Sequence, residues 1–382
     1  MLQFCVAQQP NETPFAFRTT GTRVYSLEEA LYHVFHFWRE SVDDFISDPM
    51  ITWVADDLGH SYIASKMKDI ARGKQPATTR LLEFLQLVDY FNQSEIDSLK
   101  QTLDAWALRR EWEKLKERAD DLVGRGEPMQ ALPIYKRALQ LEKNAVLLNN
   151  IGIAYMHLNL HKDALHHLAR ALELDAQNHK ILLHYIEAAI LAHQYEDATT
   201  ALATAAEIAP DCADIPFLHG LLALEQKNYT QALAYFADAI KQDLQVPHYA
   251  YKMADTHKAM RQYQKALEVL ESIKNHADTS KKEAEIHAAA GDIPAAIACM
   301  RKATGATNDA NLWAKLAMYH RQNYDWQNAK EAIDHALNLS PENDKVRLES
   351  ARIKKGLGRM REYQAELTGV LKGFKKRYRS QG

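Results

Sequence analysis

The most constraining feature of this sequence is an alanine that recurs at a nearly fixed interval through most of the chain. The seven members are Ala131, Ala164, Ala198, Ala232, Ala266, Ala296 and Ala329. Their spacings are 33, 34, 34, 34, 30 and 33 residues, and a further step of 34 ends on Tyr363. A period of this size is typical of stacked helical hairpins, because one hairpin buries its apolar face only when a neighbour covers it.

Each of these alanines is followed by a regular set of residues. A large apolar residue stands four positions later and a small one usually seven later, as in Tyr135 with Ala138 and Phe236 with Ala239. Offsets of four and seven lie on one helical stripe, so they predict the buried face of a second helix in each hairpin. Small residues farther upstream, such as Gly152, predict where the first helix comes closest to the second.

This pattern resembles the tetratricopeptide repeat family. The seventh repeat carries the family motif at Trp313, Leu316, Ala317, Ala329, Ile333, Ala336 and Pro341. The second repeat carries it at Ile151, Gly152, Tyr155, Ala164, Leu168 and Ala171. The resemblance covers roughly residues 112–372. It departs from the family in the sixth repeat, which is four residues shorter, and in the eighth, which lacks the small residue.

The resemblance implies an all-α fold, a right-handed α-solenoid of about seven helical hairpins with a capping helix. We place repeats 1–7 at residues 111–343 and a degenerate repeat or cap with a basic tail at 344–382. The sixth repeat is expected to be irregular, because its first helix is polar and its length differs from the others.

The first 110 residues lack this period and predict a separate, small, mostly helical domain. Even spacing of apolar residues over 1–24 favours a short β-hairpin. Helical signals begin at Ser26, which with Glu29 makes a capping box. Residues 94–123 contain neither Gly nor Pro and predict one long helix or two abutting helices. The many aromatic residues of 25–53 are interpreted as a small core, with a docking surface as the alternative.

Cysteine usage, hydropathy and local motifs favour a protein without a catalytic or metal centre. Cys5, Cys212 and Cys299 lie far apart with no Cys-x-x-Cys spacing, so neither zinc nor a disulfide framework is expected. No uncharged apolar run reaches membrane-spanning length, and no basic residue precedes an apolar core in residues 1–10. No phosphate loop, dinucleotide fingerprint or nucleophile elbow occurs. We expect a cytoplasmic protein that is not an enzyme and uses no cofactor or metal.

Charge is distributed unevenly along the chain. The net charge is −3, but residues 345–382 hold twelve Lys or Arg against three Glu, giving +9, so the first 344 residues sum to −12. The most basic stretch is a tail with Lys375, Lys376, Arg377 and Arg379. A solvated helix end explains these cations most simply. An acidic partner protein is the next interpretation, and contact with nucleic acid or acidic lipid is the third.

The resemblance also implies a binding groove lined by the first helices of the repeats. The residues expected there are Lys116, Asn149, Asn150, Lys180, His184, Glu187, Phe217, Tyr251 and Arg321. Polar side chains among aromatic ones suit an extended peptide, whose backbone needs hydrogen-bond partners while its side chains need pockets.

A narrower hypothesis concerns the first of these residues. Lys116, Asn150, Lys180 and His184 fall where co-chaperones of the family clamp a C-terminal carboxylate. Two cations and an amide would bind such an anion well. Asp120 argues against the clamp, because it stands where that site requires Asn and its charge would repel the ligand.

The function predicted from these features is a protein-protein interaction adaptor, scaffold or chaperone that binds a peptide or protein segment in the groove. One alternative is a peptide-controlled regulatory switch that resembles the peptide-sensing repeat regulators of Gram-positive bacteria. Compaction on peptide addition would favour the switch over the scaffold. The other alternative is an enzyme or nucleic-acid-binding protein without a local motif.

Overall fold

The computed structural model describes residues 13–18, 22–42, 45–273, 276, 278–341 and 343–379, with side chains up to residue 371. The chain forms two compact units, Met1–Ala176 and Gln177–Gly382. The predicted all-α solenoid of helical hairpins with a capping element is confirmed. No helix in the described part of the chain is both long and apolar enough to cross a bilayer.

The first unit begins with a short antiparallel β-hairpin, as predicted. Strand β1 is Phe15–Ala16 and strand β2 is Arg23–Val24, with Phe15 opposite Val24. The part of the predicted hairpin in residues 1–12 lies outside the described residues. The Trp53 indole N–H donates to the Thr13 carbonyl at 2.8 Å, which ties the segment before β1 to the helices that follow.

Six helices complete the N-terminal part of this unit. They are α1 (Leu27–His36), α2 (Trp38–Ser41), α3 (Asp48–Thr52), α4 (Ser61–Arg72), α5 (Ala77–Leu85) and α6 (Gln93–Ala107), with a π-helical turn at Trp53–Asp57. Ser26 caps α1 as predicted, accepting the Glu29 N–H at 3.2 Å. Aromatic residues of 25–53 form much of the core, since Trp38, Phe45 and Trp53 are buried. Packing therefore accounts for these three residues, whereas Tyr25 is exposed.

The segment 94–123 contains two helices. Helix α6 ends at Ala107, and α7 (Glu111–Gly124) begins after three intervening residues. Arg110 is the N-cap, and its backbone N–H donates to the Glu113 carboxylate at 2.8 Å. The backbone N–H groups at the start of a helix have no intrahelical partner, and Glu113 provides one for the N–H of Arg110. The new helix therefore starts without the Gly or Pro that usually marks a break.

Eight helical hairpins follow, each of two antiparallel helices. The first unit contains α7 with α8 (Pro128–Leu141), and α9 (Ala145–His157) with α10 (His161–Leu174). The second unit contains α11 (His179–Leu191), α12 (Tyr195–Ile208), α13 (Asp214–Glu225), α14 (Tyr229–Gln242), α15 (Pro247–Ala259), α16 (Tyr263–Glu271), α17 (Thr279–Ala290), α18 (Ile293–Ala306), α19 (Ala310–Gln322), α20 (Trp326–Leu339), α21 (Asp344–Gly356) and α22 (Met360–Arg379).

The periodic alanines lie where the two helices of each hairpin meet. All seven are fully buried. Glycines on the first helix allow the same close approach, because a Cβ at Gly152 would stand 2.5 Å from the Leu168 side chain. A Cβ at Gly220 would stand 2.5 Å from the Phe236 ring. The small residues of the pattern are therefore required by steric contact between helices.

The turn inside each hairpin also repeats. A residue with left-handed backbone conformation follows the first helix at Gly126, Asn159, His193, Lys227, Arg261, Gly291, Tyr324 and Gly358. These positions have the same spacing as the alanines. In the fourth hairpin, the N–H groups of Lys227 and Asn228 donate to the carbonyls of Leu224 and Ala223. This pair of hydrogen bonds is a Schellman motif, which ends a helix and redirects the chain.

The four residues missing from the period are missing from the end of the fifth hairpin. Its second helix, α16, has nine residues where the other second helices of hairpins 1–7 have 14. One helical turn is 3.6 residues, so the deletion removes about one turn. The sixth hairpin itself, α17 with α18, keeps a buried core that includes Ala284, Ala296 and Met300.

Candidate functional site

A cavity of about 400 Å3 opens among the first helices of the third, fourth and fifth hairpins. It is lined by Lys180, Leu183, His184, Glu187, Asp214, Phe217, Leu218, His248 and Lys252. Four of the nine residues expected in the groove, namely Lys180, His184, Glu187 and Phe217, therefore lie together.

Helical spacing explains why these side chains converge. Lys180, His184 and Glu187 are four and three residues apart on α11, so they share one face of that helix. Asn178 caps α11 and accepts the Ile181 N–H at 3.4 Å. Helices α11 and α13 pack directly against each other, which brings the first residue of α13, Asp214, beside this face.

The apolar wall of the cavity is an anchored aromatic ring. Phe217 is only 6% exposed. Its ring centroid lies 5.6 Å from that of Phe236 and 4.9 Å from that of Tyr249. The His248 imidazole packs edge-on against it at 4.6 Å. Contacts on these sides hold the ring in place, so a ligand would meet a preformed apolar surface.

Asp214 is held in place by a tyrosine of the next first helix, α15. The Tyr249 hydroxyl donates to its Oδ1 at 2.6 Å. Burial, together with this hydrogen bond to a carboxylate, raises the pKa of Tyr249 well above its ordinary value. The phenol therefore remains a hydrogen-bond donor, and it fixes the position of the Asp214 charge at the cavity.

Glu187 is a half-buried carboxylate in the lining of the cavity. Among the described residues, no side chain hydrogen-bonds to it or forms an ion pair with it. Desolvation raises its pKa, the charge of Asp214 adds to this effect, and Lys252 opposes it. Desolvation also lowers the pKa values of His184 and His248, so both imidazoles are neutral at neutral pH.

The lysines of the site are exposed at its edge. Lys180 begins the lining face of α11, and Lys252 lies on α15, one turn after His248. Within the described ranges, neither ammonium group takes part in an ion pair or a hydrogen bond. Both are therefore available to a ligand.

Farther along this unit, from α15 onward, three pairs of facing charges join the first helices of neighbouring hairpins. The pairs are Asp255 with Lys282, Glu285 with Lys315, and Arg321 with Glu349, each at 2.6 Å. The predicted groove residue Arg321 is thus bound to a carboxylate of the protein itself. Another, Tyr251, has its hydroxyl 3.2 Å from Thr279 Oγ1.

The predicted groove residues of the first unit form a closed polar network around Asp120. Lys116 Nζ donates to Asp120 Oδ2 at 2.7 Å. The Tyr135 hydroxyl and Asn150 Nδ2 donate to Oδ1 at 2.6 and 2.8 Å. Asn149 Nδ2 donates to Asn150 Oδ1 at 3.2 Å. The carboxylate-clamp hypothesis needs Lys116 and Asn150 for a ligand, but here they bind the carboxylate of Asp120.

Three polar lining residues were not identified from sequence, namely Asp214, His248 and Lys252. The repeat period itself contains the signal for them. Residues 180, 214 and 248 are separated by 34 positions, as are residues 184, 218 and 252. The members of each set hold equivalent positions in three successive hairpins. Adding 34 and 68 to the numbers of Lys180 and His184 therefore gives the positions of the three residues.

Two further expectations concern the basic tail and metal ions. Helix α22 continues to Arg379, but the side chains of the predicted tail residues Lys375, Lys376, Arg377 and Arg379 lie outside the described residues. In the described part of the chain, His, Cys, Asp and Glu side chains nowhere gather into a group of three or more that could hold a metal ion.

Comparisons with known proteins identify the repeats. Two family models described as tetratricopeptide repeat match residues 116–179 and 159–216. No curated protein matches the chain.

Several solved structures are similar to this chain at low identity. A tetratricopeptide repeat protein from Parabacteroides merdae is 19% identical, with 64% of this chain and 98% of that chain covered and a TM-score of 0.43. MamA from Desulfovibrio magneticus is 17% identical, with 44% and 96% covered and a TM-score of 0.35. PilF of Pseudomonas aeruginosa is 20% identical, with 50% and 89% covered and a TM-score of 0.37.

The family assignment rests on the sequence models together with the hairpins themselves. The two models cover residues 116–216, from within α7 to the start of α13, where the alanine period, the buried small residues and the left-handed turns all recur. Residues 116–216 therefore match the tetratricopeptide repeat family, whose fold typically serves as a protein-interaction scaffold.

Proposed function

We propose that this protein is an adaptor that binds an extended segment of a partner protein across α11, α13 and α15. The observation that carries the proposal is the cavity lined by Lys180, Glu187 and Phe217. It combines a fixed aromatic wall with charged groups that the protein leaves unpaired. An extended segment needs this combination, because its side chains fill pockets while its backbone and charges need polar partners.

The contrast with the other first helices supports the location. Between hairpins 5 and 8 the facing charges neutralise each other, as in the pair of Arg321 with Glu349. In the first unit, Asp120 binds the polar residues around it. Desolvating an unpaired charge without compensation is costly, so charges left unpaired beside a cavity favour a ligand that pairs with them.

A charge-reversal variant tests this site without altering a buried side chain. Lys180→Glu with Lys252→Glu changes both exposed edges of the cavity. The ligands are peptides selected on the full-length wild-type protein from a displayed library of random linear sequences. We expect these peptides to bind the variant at least about tenfold more weakly, because edge charges steer and hold a charged ligand.

The matched control is Lys227→Glu with Lys265→Glu. It makes the same change in net charge at two exposed positions that do not line the cavity. Equal weakening by both double variants would show a nonspecific charge effect and contradict the proposed site. A library that yields no peptide on the wild-type protein would contradict recognition of linear segments altogether.

A further inference from the structure

The charges of the cavity are arranged by depth, and this arrangement suggests which side chain it accepts. The inference rests on the proposed function. We propose that the cavity receives one cationic side chain, arginine or lysine, of the bound segment, and that acidic residues flank this side chain in the partner.

The acidic groups lie inside and the basic groups lie at the edge. Glu187 and Asp214 are half-buried, whereas Lys180 and Lys252 are exposed. A complementary ligand has the opposite order, with positive charge at its centre and negative charge on either side. Like charges directly opposed across such an interface would be strongly unfavourable, so the order also excludes segments with an acidic centre.

The inner carboxylates have unused capacity for hydrogen bonds. Among the described residues, none hydrogen-bonds to Glu187 or forms an ion pair with it. Asp214 uses Oδ1 for the Tyr249 hydroxyl, while the only donor to its Oδ2 among the described residues is the weak thiol donor Cys212 Sγ at 4.0 Å. An ammonium or guanidinium group supplies several N–H donors to such oxygens, and hydrogen bonds between charged groups are the stronger kind.

The aromatic wall suits the same ligand. A lysine or arginine stem is apolar and can pack along Phe217 and Leu218, while the cationic head lies near the ring face or reaches the carboxylates. At neutral pH the imidazoles of His184 and His248 are uncharged, so they do not repel a cation. The lining of the cavity is thus apolar along one side and anionic at depth.

The test uses peptides selected on the full-length wild-type protein from the random linear library. We expect arginine or lysine at one fixed position, with Asp or Glu on both sides. Replacing that arginine by citrulline, which keeps the shape and removes the charge, is expected to weaken binding at least tenfold. Glu187→Gln is expected to weaken it by a similar factor, while the exposed control Glu207→Gln leaves it unchanged.

A second selection gives a gain-of-function readout. When the same library is selected on the Glu187→Lys variant, we expect peptides with an acidic residue at the position where the wild-type protein selects a basic one. Wild-type selection of peptides without a fixed basic residue, or equal affinity of the arginine and citrulline peptides, would overturn the inference.

The two proposals fail in distinguishable ways. If Lys180→Glu with Lys252→Glu weakens binding but Glu187→Gln and citrulline do not, the groove site stands and the cationic-pocket inference is wrong. If none of these changes affects the selected peptides, the site itself is wrong. Circular dichroism of each variant shows whether the helices are intact, so unfolding cannot imitate either result.

Discussion

At the scale of single residues, the first unit contains a buried histidine that ties its stability to pH. His33 is 3% exposed, and its ring packs at a tilt against Phe17 and Phe37, at 4.2 and 4.9 Å between centroids. Burial, followed by the charge of Arg125, lowers its pKa from 6.5 to about 4. The folded protein therefore holds this imidazole neutral at pH values where the unfolded chain protonates it.

We expect the free energy of unfolding to fall as the pH is lowered from 6.5 to 4. Above 6.5 both states are neutral, so His33 contributes no pH dependence there. Below 6.5 only the unfolded state gains the proton, and by pH 4 the loss is on the order of 3 kcal/mol. Urea unfolding followed by tryptophan fluorescence measures it, because four of the six tryptophans lie in residues 1–176.

His33→Gln is expected to flatten this part of the pH profile. The exposed His157 of the same unit provides the control, and His157→Gln should keep the wild-type slope. A wild-type slope in His33→Gln would show that other groups cause the acid sensitivity of this unit.

Residue type and period were sufficient to predict part of the site. Lys180, His184, Glu187 and Phe217 follow from the family register and come together at the cavity. The pairing of Arg321 with Glu349 was not predictable, because it joins helices of different hairpins through the rotamers of two long side chains. In the network around Asp120, the contact from Asn150 was missed for the same reason, because it comes from the next hairpin.

At the scale of elements, five of the eight hairpin turns adopt a left-handed conformation with a residue other than glycine. Lys227 has φ 61° and is exposed. Lys227→Gly is expected to stabilise the protein by about 0.5–1 kcal/mol, because relief of the left-handed strain exceeds the entropy that glycine loses on folding. The midpoint of urea unfolding measures this change.

The first hairpin provides the opposite substitution at the same place. Gly126→Ala introduces a Cβ at φ 79°, so it should destabilise the protein although nothing lies within 4 Å of that Cβ. If Lys227→Gly lowered stability instead, contacts of the lysine side chain and not backbone strain would dominate at this turn.

Helices were easier to predict than the points where they end. The 3.6-residue pattern indicated every second helix, because its buried stripe is contiguous in sequence. The break between α6 and α7 depends on one cap at Arg110, and the loss of a turn from α16 shows in sequence only as a spacing of 30. The period records how many residues are missing, whereas packing decides which helix loses them.

At the scale of the whole molecule, the stability of a solenoid is expected to depend on its last hairpin, which covers the apolar face of the hairpin before it. Val346, Ala351 and Ile353 of α21 are buried. Truncation after residue 343 should leave the preceding hairpins helical, lower the melting temperature and promote self-association, because the exposed face is apolar. Circular dichroism and light scattering measure these effects.

Truncation after residue 371 is the control for that experiment. It removes the basic end and keeps the residues of α21 that form the cover. We expect its melting temperature to stay close to that of the full chain. If the chain that ends at residue 343 melted at the same temperature as the full chain, the last hairpin would not be a cap.

The predicted domain boundary near Arg110 stays a prediction at this scale. It lies inside the compact unit Met1–Ala176, where ion pairs join the N-terminal helices to the first repeat. Arg39 pairs with Glu117 and Asp121, and Glu40 pairs with Arg125. Such contacts join side chains that are far apart in sequence. The position where the alanine period begins could therefore not reveal them.

The 34-residue spacing of the cavity residues has a genetic consequence. Lys180, Asp214 and His248 occupy one place in three consecutive hairpins, so unequal recombination that removed residues 214–247 would place His248 directly after Lys180 in the series. We expect the chain to remain foldable after such a loss, because every junction still joins equivalent ends of a hairpin. Its binding preference would change in a single event. In this architecture, partner specificity can therefore evolve by gain or loss of whole repeats as well as by point substitution.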